Sequence, residues 1–273
     1  MSLPYDEDYL REMELWPFFE LQRRSLAQSP GVLASPSATL APPTEIPAPA
    51  RHAPPPQPGA ARAASVSRPA EPVETNPVVA DPAREGRIAQ LDWDGLKSEA
   101  AACRACKLCE KRKQAVLGVG APNAPWLFIG EGPGAEEDDQ GEPFVGPAGK
   151  LLDAMLAAAG LQRGREVFIA NVVKCRPPGN RNPSPEESFA CAPLLDRQID
   201  LIQPKLIVAL GKIALMRLTG SDASMASMRG KQHEYRGIPV IATYHPAYLL
   251  RNLPDKLKAW EDLMMAKKAM AAL

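Results

Sequence analysis

The sequence predicts an α/β protein, with a three-layer α/β/α fold built on a mainly parallel, about four-stranded central sheet. Short apolar runs alternate with longer amphipathic stretches in the second half of the chain, which is the pattern of strands joined by crossover helices. Glycine or polar residues follow the apolar runs, as they do where a parallel strand ends in a loop. Right-handed crossovers then place helices on both faces of the sheet.

The apolar runs predict strands at residues 126–129, 167–172, 205–210 and 239–243. The amphipathic stretches predict helices at residues 147–159, 185–202, 212–218 and 254–271. A further short helix is expected before Cys103, with the apolar residues Ile88, Leu91, Trp93, Leu96 and Ala100. In a sheet of this kind ligands bind at the carboxyl ends of the strands. Residues that follow the strands are therefore the candidates for a site.

Composition divides the chain into three parts. The sequence has 273 residues and 30 prolines, and sixteen of these prolines lie at or before Pro82. Residues 29–84 are rich in Pro and Ala, which predicts a disordered linker. Residues 1–28 contain an isolated amphipathic segment, which either frays or docks onto a protein partner or the main domain. Residues 85–273 are the predicted globular domain, long enough for one core.

Charge is uneven although the formal net charge is zero. Residues 203–273 carry eleven basic and five acidic side chains, a net of +6, whereas residues 125–170 carry three and eight, a net of −5. A basic half beside an acidic loop suits a bound polyanion, and ordinary solvated surface is the alternative. The sequence shows no signal peptide and no apolar run near membrane-spanning length, so a soluble, cytoplasmic monomer is expected.

Cysteine spacing predicts a metal site. Cys103 and Cys106 form a C-x2-C pair before the first strand, and Cys175 and Cys191 are separated by fifteen residues. Thiols stay reduced in the cytoplasm, and four thiolates without a nearby histidine suit either an iron–sulfur cluster or a structural zinc. Unconnected core thiols are the alternative. Cys109 extends the first pair to C-x2-C-x2-C, so one of the five cysteines is surplus.

A glycine-rich turn follows the first strand. Residues 130–134 read GEGPG, in which the glycines leave the backbone bare and Pro133 stiffens it, so the turn can form the floor of a pocket. A plain tight turn is the alternative, because the spacing matches no phosphate-binding motif. Glu131 after the first strand, Asn171 at the end of the second and His245 after the fourth would meet at one edge of the sheet.

Four motifs occur together with the cysteine pattern: Gly130-Glu-Gly-Pro-Gly134, Pro143-Phe-Val-Gly146, Asn171-Val-Val-Lys-Cys-Arg-Pro-Pro178 and His245-Pro-Ala-Tyr-Leu-Leu-Arg251. From Ala101 to Ala271 the chain closely resembles the family 4 uracil-DNA glycosylases, the iron–sulfur branch of their superfamily. The resemblance implies a DNA repair enzyme that flips uracil out of DNA and hydrolyses its N-glycosidic bond, leaving an abasic site. It also implies a 4Fe-4S cluster.

The family's cluster ligands fall on Cys103, Cys106, Cys175 and Cys191, and Cys109 lies outside the family pattern. A flipped base is recognised by its exposed edge and by stacking. Phe144 offers a stacking face, and the amide of Asn171 matches the N3–H donor and O4 acceptor of uracil but not the edge of cytosine. A core aromatic and a strand-end turn residue are the alternatives for these two positions.

His245, as a neutral imidazole, is expected to donate to uracil O2 and stabilise the departing anion, with help from backbone N–H groups around Glu131 and Gly132. The best-known branch of the superfamily has an Asp at the position of Gly132 to place the water. Glu131 is the nearest carboxylate here, and it can orient water or stabilise the sugar cation. Gly134 replaces a bulky residue that excludes thymine in that branch, which leaves Glu137 as the candidate for this task.

DNA contacts are expected from the segment that follows His245. Leu249 is the predicted wedge that fills the gap left by the flipped base, and Arg251 and Lys174 are predicted to neutralise phosphates. Core packing is the alternative for Leu249. A glycosylase of the family 5 type, with broader base tolerance, and a non-catalytic DNA-binding module are the competing functions.

Overall fold

A computed structural model describes residues 81–273 of the chain. The predicted N-terminal helix and nearly all of the predicted linker lie outside these residues. The described part begins with α1 (Pro82–Ile88), which starts three residues before the predicted domain boundary, and α2 (Trp93–Ala102). A 3-10 turn (Lys107–Glu110) then leads into the sheet.

The strands and the remaining helices alternate along the chain. In order they are β1 (Val119–Gly120), β2 (Trp126–Gly130), α3 (Ala135–Gln140), α4 (Pro147–Ala158), β3 (Val167–Asn171), α5 (Pro185–Ile202), β4 (Leu206–Leu210), α6 (Lys212–Thr219), α7 (Met225–Met228), β5 (Gln232–Tyr235), β6 (Ile238–Thr243), α8 (Pro246–Leu249) and α9 (Lys256–Ala271). Short 3-10 turns occur at Pro178–Asn180 and Leu253–Asp255. Among the described helices, none is both long and apolar enough to cross a membrane.

The sheet has six strands in the order β1-β3-β2-β4-β6-β5. The central four, β3, β2, β4 and β6, are parallel, which confirms the predicted fold class. The two edge strands, β1 and β5, are antiparallel and were not predicted. β1 has only two residues, and β5 reads QHEY, so neither contains the apolar run that reveals a buried strand.

Alternating side chains of the parallel strands supply two apolar layers. In β2, Leu127 and Ile129 pack on one face with α5, whereas Phe128 packs on the other face with α4 and α9. This two-residue period gives the three-layer architecture its two cores. Helix α5 begins where the sequence predicts it, because Ser184 and Glu187 form a reciprocal capping box with bonds of 3.2 and 2.8 Å.

The register of the parallel strands brings their carboxyl ends together. Gly130 at the end of β2 pairs with Asn171 at the end of β3, and Leu210 at the end of β4 pairs with Thr243 at the end of β6. The loops that follow these residues therefore leave the sheet along one edge. This is the edge at which the sequence predicts the site.

Packing of α4 against the preceding loop depends on one glycine. A Cβ atom at Gly149 would lie 1.8 Å from the carbonyl oxygen of Phe144, which itself has a left-handed backbone with φ of 55°. Gly149→Ala therefore forces the loop away from the helix. We expect the free energy of unfolding to fall by about 1–3 kcal/mol, measured by denaturant or thermal unfolding.

Gly86→Ala is the matched control, because it makes the same change in helix α1, where a Cβ would meet no atom within 4 Å. Its stability should stay the same or rise by up to about 1 kcal/mol. Equal stabilities of the two variants would show that the loop does not pack on α4 in this way.

Candidate active site

A cavity of about 510 Å³ opens at the carboxyl edge of the sheet. Its walls come from the glycine-rich turn, the loop before α4, the end of β3 with the loop after it, and the start of α8. The predicted site residues that line it are Glu131, Gly132, Phe144, Asn171, His245 and Arg251. A second cavity of about 550 Å³ lies between α1, α5 and α6 and contains none of these residues. The first cavity is therefore the candidate active site.

Two of the site side chains converge on Gly130. A Cβ atom there would lie 2.5 Å from Oδ1 of Asn171 and 2.6 Å from Cζ of Phe144. The missing side chain therefore makes room for neighbouring protein groups. The sequence explained this glycine by the close approach of a ligand, whereas the structure shows that it lets the amide and the ring approach the strand end.

Asn171 is buried, with only 1% of its surface exposed, and its Oδ1 has no hydrogen-bond partner. The main chain around it is well fixed: the N–H groups of Val172 and Val173 donate to the carbonyl oxygens of Gly130 and Glu131 at 2.9 and 3.1 Å. A buried acceptor without a partner costs about 1–3 kcal/mol. Asn171 also lines the cavity, so this unpaired oxygen is a candidate acceptor for a ligand's N–H.

Phe144 forms one wall with its ring. The ring centroid lies 5.4 Å from that of His245, with an angle of 31° between the planes. Arg163 fixes the segment, because its guanidinium donates to the carbonyl oxygens of Pro143 and Phe144 at 2.7 and 2.8 Å. Arg163 was not predicted as a site residue, because no sequence motif indicates that this turn residue contacts a loop twenty residues earlier.

Glu137 holds the glycine-rich turn to the loop that carries Phe144. Its carboxylate accepts from the N–H of Gly134 at 3.0 Å and from those of Val145 and Gly146 at 3.1 and 3.2 Å. Both carboxylate oxygens therefore have partners in the two loops. This residue shapes the cavity wall, although the sequence suggested it only as the group that excludes thymine.

His245 is held as a neutral hydrogen-bond donor. Its Nδ1 accepts from the N–H of Ala247 at 3.2 Å, so the single proton of a neutral ring must lie on Nε2. Burial, and then the positive charge of Arg251, lower the pKa of His245 to about 4. A ring with this pKa stays uncharged at neutral pH.

Glu131 lies half-buried in the turn between the strand end and Pro133. Burial raises the pKa of its carboxyl group above the ordinary value. The cavity therefore contains a weakly hydrated carboxylate opposite a neutral imidazole.

Lys174 does not lie on the DNA-facing surface, so the prediction that it neutralises a phosphate is wrong. Only 1% of its surface is exposed, and its ammonium donates to the main-chain oxygen of Asn171 at 2.6 Å. Burial lowers the pKa of Lys174 to about 8. The side chain turns inward because the residues around it, from Asn171 to Cys175, are all buried.

Leu249 is fully buried in the apolar layer beneath α8, so it has no surface with which to enter a duplex. The predicted wedge role of Leu249 is therefore wrong, and core packing explains it. The helical turn α8 directs the next residue outward instead: Leu250 is 42% exposed, and Arg251 beside it is exposed and lines the cavity.

The predicted metal-ligand cysteines come from three parts of the fold. Cys103 and Cys106 follow α2 and are partly exposed, Cys175 is buried in the loop after β3, and Cys191 is buried in α5. Burial chiefly raises the pKa of Cys106 to about 11 and that of Cys191 to about 12, and nearby cysteines raise both further.

Several sulfur atoms receive hydrogen bonds from nitrogen donors: Cys103 from Arg84 at 3.4 Å, Cys175 from Arg112 at 2.8 Å, and Cys191 from the main chain of Lys174 at 3.3 Å. Such donors favour a negatively charged sulfur. In the described part of the chain no three His, Cys, Asp or Glu side chains are grouped closely enough to hold a single metal ion. Cys109 is also buried, in the 3-10 turn after Cys106.

The lowered pKa of His245 gives a testable pH dependence. We expect the NMR signals of the His245 ring, assigned by comparison with His245→Gln, to show no titration from about pH 8 to about pH 5.5. Because the folded pKa lies below the ordinary 6.5, stability from this residue is present above about pH 6.5 and lost as the pH falls towards 4. Wild type should then lose stability on acidification more steeply than His245→Gln. A titration midpoint near 6.5 contradicts the buried, neutral state.

Comparisons with known proteins identify the family of the chain. The family model of the Uracil DNA glycosylase superfamily matches residues 117–264, which include the whole cavity. The type-4 uracil-DNA glycosylase of Sulfurisphaera tokodaii is 47% identical over 176 residues, covering 61% of this chain and 79% of that protein. The type-4 enzyme of Thermotoga maritima is 47% identical over 169 residues, covering 60% and 88%. That of Saccharolobus solfataricus is 42% identical over 188 residues, covering 66% and 87%. The chain therefore belongs to the type-4 uracil-DNA glycosylases of the Uracil DNA glycosylase superfamily.

Proposed function

We propose that this chain removes uracil from DNA by hydrolysing the N-glycosidic bond of a flipped-out nucleotide, leaving an abasic site. The observation that carries the proposal is the unpaired Oδ1 of Asn171, buried in the wall of a cavity that also contains Phe144 and His245. A base inside a duplex cannot be reached, so it must leave the stack to enter this cavity.

Asn171 reads the base through its side-chain amide. Its Oδ1 accepts from the N3–H of uracil, and its Nδ2 donates to uracil O4. Cytosine offers an acceptor at N3 and a donor at its exocyclic amine, so both contacts are mismatched. The ring of Phe144 supports the base by stacking. The missing side chain at Gly132 leaves room for Val173, whose Cγ2 would lie 2.7 Å from a Cβ atom there.

His245 stabilises the leaving group. Negative charge develops on uracil O2 as the glycosidic bond breaks, and the Nε2–H of a neutral imidazole can donate to that oxygen. The low pKa of His245 suits this role, because the donor keeps its proton without adding a charged, strongly hydrated group to the cavity. The ring itself is half-buried in the wall of the cavity.

Glu131 acts on the sugar side of the bond. As a carboxylate it can orient the attacking water or stabilise the positive charge that develops on the deoxyribose. Gly132 next to it has no side chain, so Glu131 is the nearest acidic group in the turn. The site residues proposed for catalysis are therefore Glu131, Asn171 and His245.

The mouth of the cavity is suited to DNA backbone. Arg251 is exposed there, and Arg181 on the opposite loop is held by two hydrogen bonds to Glu187 at 2.8 and 2.7 Å. We assign phosphate contact to Arg251. Leu250 is exposed next to Arg251, so we assign to Leu250, and not to Leu249, the role of filling the gap that the flipped base leaves in the duplex.

The four thiols fit a 4Fe-4S cluster, with Cys103, Cys106, Cys175 and Cys191 as ligands. Their donor set contains only sulfur, and burial disfavours free thiolates, so bound iron would supply the positive charge that the site needs. When bound, such a cluster cross-links the end of α2, the loop after β3 and helix α5, and it can carry an electron. Cys109 remains outside the ligand set.

We propose the same three-part domain organisation that the sequence predicts. We assign the reaction to residues 85–273, because the described cavity is built entirely from Glu131 onward. The protein partner proposed for residues 1–28 and the monomeric state remain predictions.

Incubation with a uracil-containing oligonucleotide followed by alkali tests the function directly. Strand cleavage at the uracil position is expected, whereas a matched thymine oligonucleotide should stay intact. An intact uracil strand under conditions in which the protein still binds DNA would favour the non-catalytic module.

Asn171→Asp tests the reading of the base. The substitution keeps the shape but replaces the donor to O4 with an acceptor, and a mismatched buried hydrogen bond costs about 1–3 kcal/mol, so uracil excision should fall at least about tenfold. Excision of cytosine should rise from none to a weak level, because its amine gains an acceptor. Both activities are measured on matched oligonucleotides.

Asn123→Asp is the matched control, since it makes the same charge change at an exposed residue of the turn before β2. Its activity should equal that of wild type. Unchanged uracil excision by Asn171→Asp would mean that another group reads the base.

Serine substitutions of two buried cysteines test the cluster. Cys175→Ser should lose the broad visible absorbance of the brown protein together with its iron, because a ligand is removed. Cys109→Ser, the matched control, should keep both. A colourless native protein that contains zinc after purification without air rules out the iron–sulfur assignment.

A further inference from the structure

Lys174 connects the cavity to the cysteine site. It lies between Asn171 and Cys175 in the chain and is buried, with 1% of its surface exposed. Its ammonium donates to the main-chain oxygen of Asn171 at 2.6 Å, and its own N–H donates to Cys191 Sγ at 3.3 Å. Its carbonyl oxygen accepts from the N–H of Val116 at 2.8 Å. One residue thus holds the strand end through its side chain and the cysteine site through its backbone.

Burying a lysine side chain is costly, because the ammonium loses its hydration. A methionine or leucine would fill a similar volume without that cost. The ammonium must therefore have a role that an apolar side chain cannot fill. Its hydrogen bond of 2.6 Å to the main-chain oxygen of Asn171 indicates that this role is to hold the Asn171 peptide.

The side chain of Asn171 is not oriented by a hydrogen bond to its Oδ1, which has no partner. Packing at Gly130, where a Cβ atom would lie 2.5 Å from that oxygen, and the main chain of Asn171 therefore set the direction of the amide. On one side this main chain is fixed by the bonds from Val172 and Val173 to the β2 end. On the other side its carbonyl oxygen is fixed by Lys174.

We propose that Lys174 is a positioning residue that holds the peptide of Asn171 in register for uracil and ties it to the cysteine site. The inference rests on the proposed role of Asn171 in reading the base. Lys174 does not contact substrate; it acts by limiting how far the end of β3 can move, so that the unpaired amide oxygen meets the base at hydrogen-bond distance.

Lys174→Met tests the proposal, because it removes the donor but keeps most of the length and apolar surface of the side chain. Affinity for free uracil, measured by calorimetry, should fall at least about tenfold, because a displaced Asn171 amide leaves a hydrogen-bonding group of the bound uracil unpaired. The kcat for uracil excision should fall, and KM for the oligonucleotide should stay nearly constant. Iron content and visible absorbance should stay at the wild-type level.

Gln198→Met is the matched control. Gln198 is also fully buried, and its side-chain amide donates to the main-chain oxygen of Leu117 at 2.9 Å, outside the cavity lining. The two substitutions remove comparable buried hydrogen bonds. Gln198→Met should lower stability but leave uracil affinity unchanged.

Binding of a uracil-free oligonucleotide at several salt concentrations separates positioning from phosphate contact. Lys174→Met should keep the wild-type affinity and salt dependence. The salt dependence is the slope of the logarithm of the binding constant against the logarithm of the salt concentration. If this slope is smaller in magnitude by about one unit for Lys174→Met, Lys174 binds a phosphate and the proposal is overturned.

Wild-type uracil affinity in a folded Lys174→Met protein also overturns the proposal. If that variant does not fold, Lys174→Gln, with a neutral donor on a shorter side chain, must show weaker uracil binding with unchanged binding of uracil-free DNA. Failure of the proposed function is recognised separately, because wild type would then neither bind nor excise uracil.

Discussion

The site depends on the backbone pairing that continues past the ends of β2 and β3. Two hydrogen bonds from Val172 and Val173 to Gly130 and Glu131 extend the parallel ladder into the loops. They fix Asn171 and Glu131 relative to each other. Because ladder geometry leaves little freedom, two groups that we propose to act on different parts of the nucleotide are placed by the same structural element.

Burial sets the properties of several side chains that line the cavity. Its histidine is uncharged because burial and Arg251 oppose protonation, its asparagine keeps a bare oxygen, and burial raises the pKa of its carboxyl group at Glu131. A hydrogen bond between a ligand and such poorly hydrated groups contributes more free energy than the same bond would in water. The positively charged side chains lie at the mouth of the cavity and around the cysteines, where they can bind a phosphate or a cysteine sulfur.

The sequence predicted most of the fold and the lining of the site. The four parallel strands and helix α5 were found because apolar runs and a capping box are local signals. The edge strands were missed because β1 is very short and β5 is polar. The residues that line the cavity were found through motifs at strand ends.

The directions of side chains in loops could not be predicted. Lys174 and Leu249 are the types of residue that contact DNA, and only the three-dimensional structure shows that both point into the core. Arg163 and Glu137 brace the loops through contacts with main-chain atoms, which leave no signature in residue type. A sequence motif identifies the segment that contains the site residues, whereas side-chain packing determines which of those residues face the ligand.

The order of the cysteines and strands has a consequence for the biosynthesis of the protein. All four proposed ligands precede β4, and His245 is followed only by α8 and α9. A nascent chain can therefore expose every sulfur when only β2 and β3 of the four parallel strands have been synthesised. Delivery of iron and sulfide thus need not wait for the finished pocket, and a chain that stops after Cys191 could still take up metal without being able to act on DNA.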